Sequence, residues 1–286
     1  MIYLSEFTFP HLEDEYTYTM QEKRTVFNSF YPFQVLGPRG VHRLTFEPIT
    51  ILYGGNGSGK TTALNVIAEK LKLQRESMYN RTAHFENYLD MCDYGMAQPV
   101  PQESRIITSD DVFDFMLNLR ALNNGIDLKR EELYEEYFDY RHARFQLKSM
   151  EDYEKLRKVN MAHGKTLSKY VKGNLMGNVR TQSNGESAFM YFSDKIRENA
   201  LYLLDEPENS LSPARQIELA QFLQDSARFF GCQLIISTHS PFLLSLRGAK
   251  IYDLDSDPVR TRRWTELENV RAYADFFRSH ADEFDD

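Results

Sequence analysis

Residues 49–62 read Ile49-Thr50-Ile51-Leu52-Tyr53-Gly54-Gly55-Asn56-Gly57-Ser58-Gly59-Lys60-Thr61-Thr62. The first five are β-branched or apolar and predict a buried strand. That strand runs straight into a Gly-x-x-x-x-Gly-Lys-Thr loop, after which Ala63, Leu64, Ile67, Ala68 and Leu71 recur at helical spacing. Strand, glycine-rich loop and helix in this order form a cradle for phosphate. From Gly54 and Gly55 through Asn56, Gly57, Ser58 and Gly59 the backbone can curl so that its N–H groups face an anion. Lys60 would reach the outer phosphates and the Thr61 hydroxyl would ligate Mg²⁺, with Thr62 beside them in the first helical turn. A chance glycine turn would not match both the loop and its two flanks, so the expectation is a nucleotide site.

Downstream, the apolar run Ala200–Leu204 predicts a strand that delivers Asp205-Glu206-Pro207. Asp205 is the expected second residue on the metal side, and Glu206 can orient or deprotonate a water. Gln233–Ser237 predicts a neighbouring strand that ends in Thr238-His239-Ser240-Pro241. If the two strands are parallel, His239 stands at the same sheet edge, ready to bond a terminal phosphate or the water held by Glu206. Taken alone, Asp205-Glu206 also reads as a strand-end turn, and a lone histidine as an ordinary polar residue. Between the strands, Ser212 and Pro213 open a helix that Gly231 stops. Residues 249–254 predict a further strand, and Thr265 with Glu268 a capping box for a last helix.

Upstream, the first 50 residues read as short strands and turns, and within them Val41–Phe46 alternates as an antiparallel strand does. Residues 74–182 have a different texture. Ser109-Asp110-Asp111 caps a helix with Val112, Phe113, Met116, Leu119 and Asn123 on one face, and Gly125 is its expected stop. Residues 155–182 carry seven Lys and Arg and no Asp or Glu. This basic run suits a nucleic-acid surface, or equally a solvated helix face. The aromatic run Tyr134, Tyr137, Phe138, Tyr140 and Phe145 suits a protein interface, or a helix-pair core.

Composition narrows the classes. The chain has 286 residues, 42% hydrophobic and 27% charged, which excludes a disordered or fibrous protein. With 34 Lys+Arg against 42 Asp+Glu the net charge is −8, which argues against wholesale wrapping of nucleic acid. No run approaches the roughly 18 apolar residues of a membrane helix. Residues 1–15 lack the regions of a signal peptide. Cys92 and Cys232 are the two cysteines, and Cys232 in an apolar run reads as a buried thiol of a reducing cytoplasm.

Together, residues 54–62, Ser183-Asn184-Gly185-Glu186-Ser187, residues 203–207, Ser210-Leu211-Ser212 and residues 237–241 resemble the ABC ATPase family. The resemblance is to its soluble branch, typified by chromosome-maintenance and recombination-repair ATPases and small bacterial AAA-family proteins, and it covers residues 41–73 and 180–255. It implies an α/β fold: an ABC-type P-loop core over residues 1–73 and 183–286, with an N-terminal antiparallel β portion, and an inserted helical lobe over residues 74–182. It implies ATP hydrolysis with Mg²⁺, with Glu206 as catalytic glutamate, His239 as switch histidine and residues 209–212 as D-loop. Residues 183–187 resemble the signature that binds ATP held by an opposite protomer, with Ser183, Gly185 and Glu186 at the site; Asn184 replaces a common Gly and Ser187 a common Gln. The family's coupling glutamine has no clear counterpart among Gln74, Gln98 and Gln102. One phosphate loop and one signature per chain imply a homodimer with composite ATP sites. Its use is expected in DNA or RNA maintenance, repair or defence. A soluble protein partner is the alternative, and a transporter subunit is disfavoured because Glu208 follows Pro207.

Overall fold

The computed structural model describes residues 1–23, 29–142, 153–175, 184–209 and 211–284. The strands are β1 Leu4–Thr8, β2 Arg43–Thr45, β3 Ile49–Tyr53, β4 Asp93–Met96, β5 Arg105–Thr108, β6 Leu201–Asp205, β7 Gln233–Ser237, β8 Lys250–Asp253 and β9 Arg260–Thr261. The helices are α1 Leu12–Gln21, α2 Lys60–Lys70, α3 Phe85–Asp90, α4 Ser109–His142, α5 Tyr153–Gly164, α6 Leu167–Asn174, α7 Asn184–Lys195, α8 Pro213–Phe229, α9 Pro241–Leu244 and α10 Glu268–Ser279.

The main sheet has the order β5-β6-β7-β3-β8-β9, parallel except for the antiparallel edge strand β9. Every residue of β3, β6 and β7 is buried, as parallel strands covered on both faces must be. This is why those segments read as continuous apolar runs. On α2, Ala63, Leu64, Val66, Ile67 and Ala68 are fully buried in the core. A second sheet, β2-β1-β4, is antiparallel. Gln233, at the start of β7, ties the two sheets together. Its Oε1 accepts the Tyr3 and Leu4 N–H groups at 2.8 and 2.9 Å, and its Nε2 donates to Leu4 O at 2.8 Å.

Two compact units emerge, Met1–Phe113 with Asn184–Asp286, and Asp114–Ser183. Residues 74–113 contribute α3, β4 and β5 to the first. In the second, Leu133, Tyr137, Ala162, Tyr170 and Val171 form a small core. The aromatic run is thus divided: Tyr137 is buried, Tyr140 packs against that core, and Tyr134 and Phe138 are exposed. Phe145 lies outside the described residues.

Four local readings are corrected. Residues 12–21 form a helix where strands and turns were expected, because Glu13, Asp14 and Glu15 place negative charge on its first turn. The alternating stretch 41–46 is strand only over Arg43–Thr45. α4 continues past Gly125 to His142, since a helix interior tolerates a glycine at a cost of about 1 kcal/mol. α10 has Leu267 as its N-cap, and Thr265 sits in the preceding 3₁₀ turn, Trp264–Glu266. Ser212, Pro213 and Gly231 do bound α8; Gly231 has φ +66°, and a Cβ there would collide with the Asn199 side chain.

Candidate nucleotide site

The loop between β3 and α2 is curled by two left-handed glycines, Gly57 at φ +78° and Gly59 at φ +93°. A Cβ on Gly59 would meet the Leu36 side chain at 2.8 Å, and one on Gly54 the Ser58 hydroxyl at 2.6 Å, so neither position accepts a larger residue. Lys60 is buried at 4% exposure, and its Nζ donates to Gly54 O at 2.8 Å and Gly55 O at 3.0 Å. Ser58 Oγ is buried without a hydrogen-bond partner among the described residues. Two groups clip the loop from outside. Asp255 accepts the Gly55 N–H at 2.6 Å, and Arg39 Nη2 donates to Gly57 O at 2.9 Å.

Parallel register brings the remaining residues to this edge. Leu52 of β3 and Asp205 of β6 both pair with Ser237 of β7, and Thr108 of β5 pairs with Asp205. Thr61 Oγ1 donates to Asp205 Oδ1 at 3.1 Å, and Ser237 Oγ donates to the same oxygen. Burial pushes the Asp205 carboxyl above the usual carboxylate range, against the pull of the Ser237 and Thr61 hydrogen bonds. Glu206 has φ +47°, a left-handed conformation rare outside glycine. Its N–H is held by Ser237 O and Oγ, both at 3.0 Å. Its Oε1 lies 3.6 Å from Lys60 Nζ and 4.0 Å from His239 Nδ1, and Asn209 Nδ2 donates to its Oε2 at 3.1 Å. A cavity of about 430 Å³ opens over the loop, lined by Tyr31, Val35, residues 56–62 and Glu206.

The profile of the family described as "ABC transporter" matches residues 43–209, more than half of the chain. The chain belongs to the ABC family. Residues 179–245 of this ABC ATPase also match a family described as "AAA domain, putative AbiEii toxin, Type IV TA system". No curated protein matches it. Among solved structures it is similar to an Smc head domain from Pyrococcus furiosus bound to the C-terminal domain of ScpA (13% identity, 97% of this chain and 100% of that one, TM-score 0.45). It is also similar to cbiO1 from Clostridium perfringens, part of an ABC transporter complex (16% identity, 83% and 85%, TM-score 0.39). A third likeness is to a dimeric post-hydrolysis ATP-binding cassette bound to ADP and Pi (16% identity, 78% and 88%, TM-score 0.36).

The ABC ATPase has a site that fits its substrate. The α2 N-terminus, the curled glycine loop and the buried Ser58 hydroxyl leave donors for a polyphosphate. The oxygens of Thr61 and Asp205 suit a hard cation, and no group of three His, Cys, Asp or Glu stands ready for a metal among the described residues. Mg²⁺ would therefore rest on two protein oxygens plus phosphate and water, which is its usual preference. When bound it would neutralise charge on the phosphoryl oxygens.

Of the signature-like residues, Gly185 and Glu186 fall in the first turn of α7, where Arg215 Nη2 pairs with Glu186 Oε1 at 3.0 Å. Glu186 is not among the described residues that line the loop cavity. Ser183 lies outside the described residues, as does Ser210 of the D-loop. Gln74 is engaged with the β5 edge: its Nε2 donates to Gln102 O and its Oε1 accepts from Arg105, both at 2.8 Å. Sequence reasoning missed Tyr31, Val35, Arg39, Ser237 and Asp255. Ser237 was legible as the last residue of a strand beside Asp205; the others come from distant segments without a motif.

Proposed function

We propose that the chain works as an ATP-closed homodimer in which Lys60 and residues 54–62 bind the phosphates, and Thr61 and Asp205 hold Mg²⁺. Glu206 positions and deprotonates the attacking water, and His239 bonds the terminal phosphate or that water. Residues 183–187 of each protomer complete the site of the other. The observation that supports this most directly is the meeting of Lys60, Glu206 and His239 within 4.0 Å contacts at the mouth of the glycine loop. Loss of the terminal phosphate then reopens the pair. No helix among the described residues is long and apolar enough to cross a membrane, and we place the cycle in the cytoplasm.

Nucleic-acid maintenance or defence is the use we favour. Lys165, Lys169 and Lys172 are exposed, and the match over residues 179–245 is to the family whose description includes an AbiEii toxin and a type IV TA system. Lys158, by contrast, is spent on Glu136 at 2.6 Å. Glu206→Gln with ATP and Mg²⁺ should keep nucleotide binding, abolish turnover and elute as a dimer in light scattering. Adding Ser183→Arg should return it to monomer. A monomeric Glu206→Gln protein, or wild-type turnover by it, would sink this reading. Duplex DNA bound by the dimer should be released between 50 and 200 mM salt, as phosphate contacts require. Capture of a protein but no nucleic acid would favour the alternative, regulation of a soluble partner.

A further inference from the structure

The loop Thr238-His239-Ser240 is built around one buried carboxylate. Glu208, only 4% exposed, accepts at Oε1 from Thr238 Oγ1 at 2.6 Å, from the His239 N–H at 3.0 Å and from the Ser240 N–H at 3.2 Å. The same oxygen lies 3.5 Å from His239 Nδ1. On the other side of the loop, Asn269 of α10 donates its Nδ2 to His239 O at 2.7 Å. Three donors converging on one charged acceptor leave the loop few alternatives, because charge-assisted hydrogen bonds are about twice as strong as neutral ones. A carboxylate facing Nδ1 also favours the tautomer with its proton there, which leaves Nε2 as an acceptor for a proton of water.

We infer that Glu208, seconded by Asn269, is a positioning residue that presents His239 to the reacting groups. The neighbouring Asn209 holds Glu206. One short segment after β6 thus fixes both the base and the histidine, and the 4.0 Å between them is set by adjacent residues of the same turn. This inference rests on the proposed role of His239.

The test is a double-mutant cycle on steady-state ATP hydrolysis by the full chain. His239→Ala should lower kcat by roughly 10–100-fold. Glu208→Ala should lower kcat about tenfold and leave KM within about twofold, since it removes an effect felt in the transition state only. In the His239→Ala background the Glu208→Ala loss should shrink to less than about twofold, because residues acting through one group are not additive. Glu208→Gln, which keeps the Oε1 acceptor, should recover most of the rate. Asn269→Ala spares the buried carboxylate and serves where Glu208→Ala fails to fold; its roughly threefold loss should also vanish without His239. Losses that multiply, or a Gln variant as slow as Ala, overturn the inference while leaving the role of His239 standing. Full activity in His239→Ala would overturn that role and the inference with it.

Discussion

Asp205 shows how a candidate site residue can oppose the stability of its own fold. Its carboxyl is displaced upward by burial, so between its ordinary value and the raised one the folded chain keeps a proton that the unfolded chain has released. Stability therefore falls as pH rises through that window, and above it the penalty is constant. Asp205→Asn keeps an acceptor for Thr61 and Ser237 and removes the buried charge. At pH 7 it should melt higher than the wild type, by on the order of a few degrees. The gap should close once the pH falls below the ordinary aspartate range, and hydrolysis should be lost throughout. A lower melting point at pH 7 would show that the carboxylate is stabilised by its neighbours. That Asp205 and Glu206 end a strand was legible from the apolar run before them. That Ser237 grips both was not, because the contact depends on parallel register, and register is set by packing in three dimensions.

At the scale of elements, the strands that carry the site were readable because each is buried on both faces, while the helices outside the core were read less well. Gly125 illustrates the reason. A glycine is a frequent helix stop, but the residues on both sides of it keep helical spacing, and the continuous α4 shows that periodicity outweighed one poor helix former. Apart from its own helical turn, a Cβ on Gly125 would meet no atom of the described residues within 4 Å. Gly125→Ala should stabilise α4 by about 1 kcal/mol, read as an approximately fivefold slowing of amide hydrogen exchange around residues 118–130. Unchanged exchange would mean that α4 opens only together with its surroundings. α1 is the opposite case: its apolar content is too low to announce a helix, and its acidic first turn was the one available sign.

For the molecule as a whole, the unit made of Met1–Phe113 and Asn184–Asp286 is tied together by a device that no sequence motif announces. Gln233 is that device. It spans more than 220 positions in sequence to bind Tyr3 and Leu4, and nothing in a buried glutamine at a strand start distinguishes a bridge from an accident. Gln233→Ala strands three buried backbone groups and should cost about 2–4 kcal/mol. Denaturant melts should show a lower midpoint with the same slope; an unchanged midpoint would mean that the antiparallel sheet is held by its apolar packing alone. Fold and function diverge most sharply in the backbone of Glu206. Its left-handed φ of 47° costs of order 1 kcal/mol or more for a glutamate, so glycine or asparagine would sit there more comfortably than the proposed base. Among descendants of this chain, mutants silent in hydrolysis at this position would fold at least as well as their ancestor. Protein quality control would let them pass, and only loss of the ATPase phenotype could remove them.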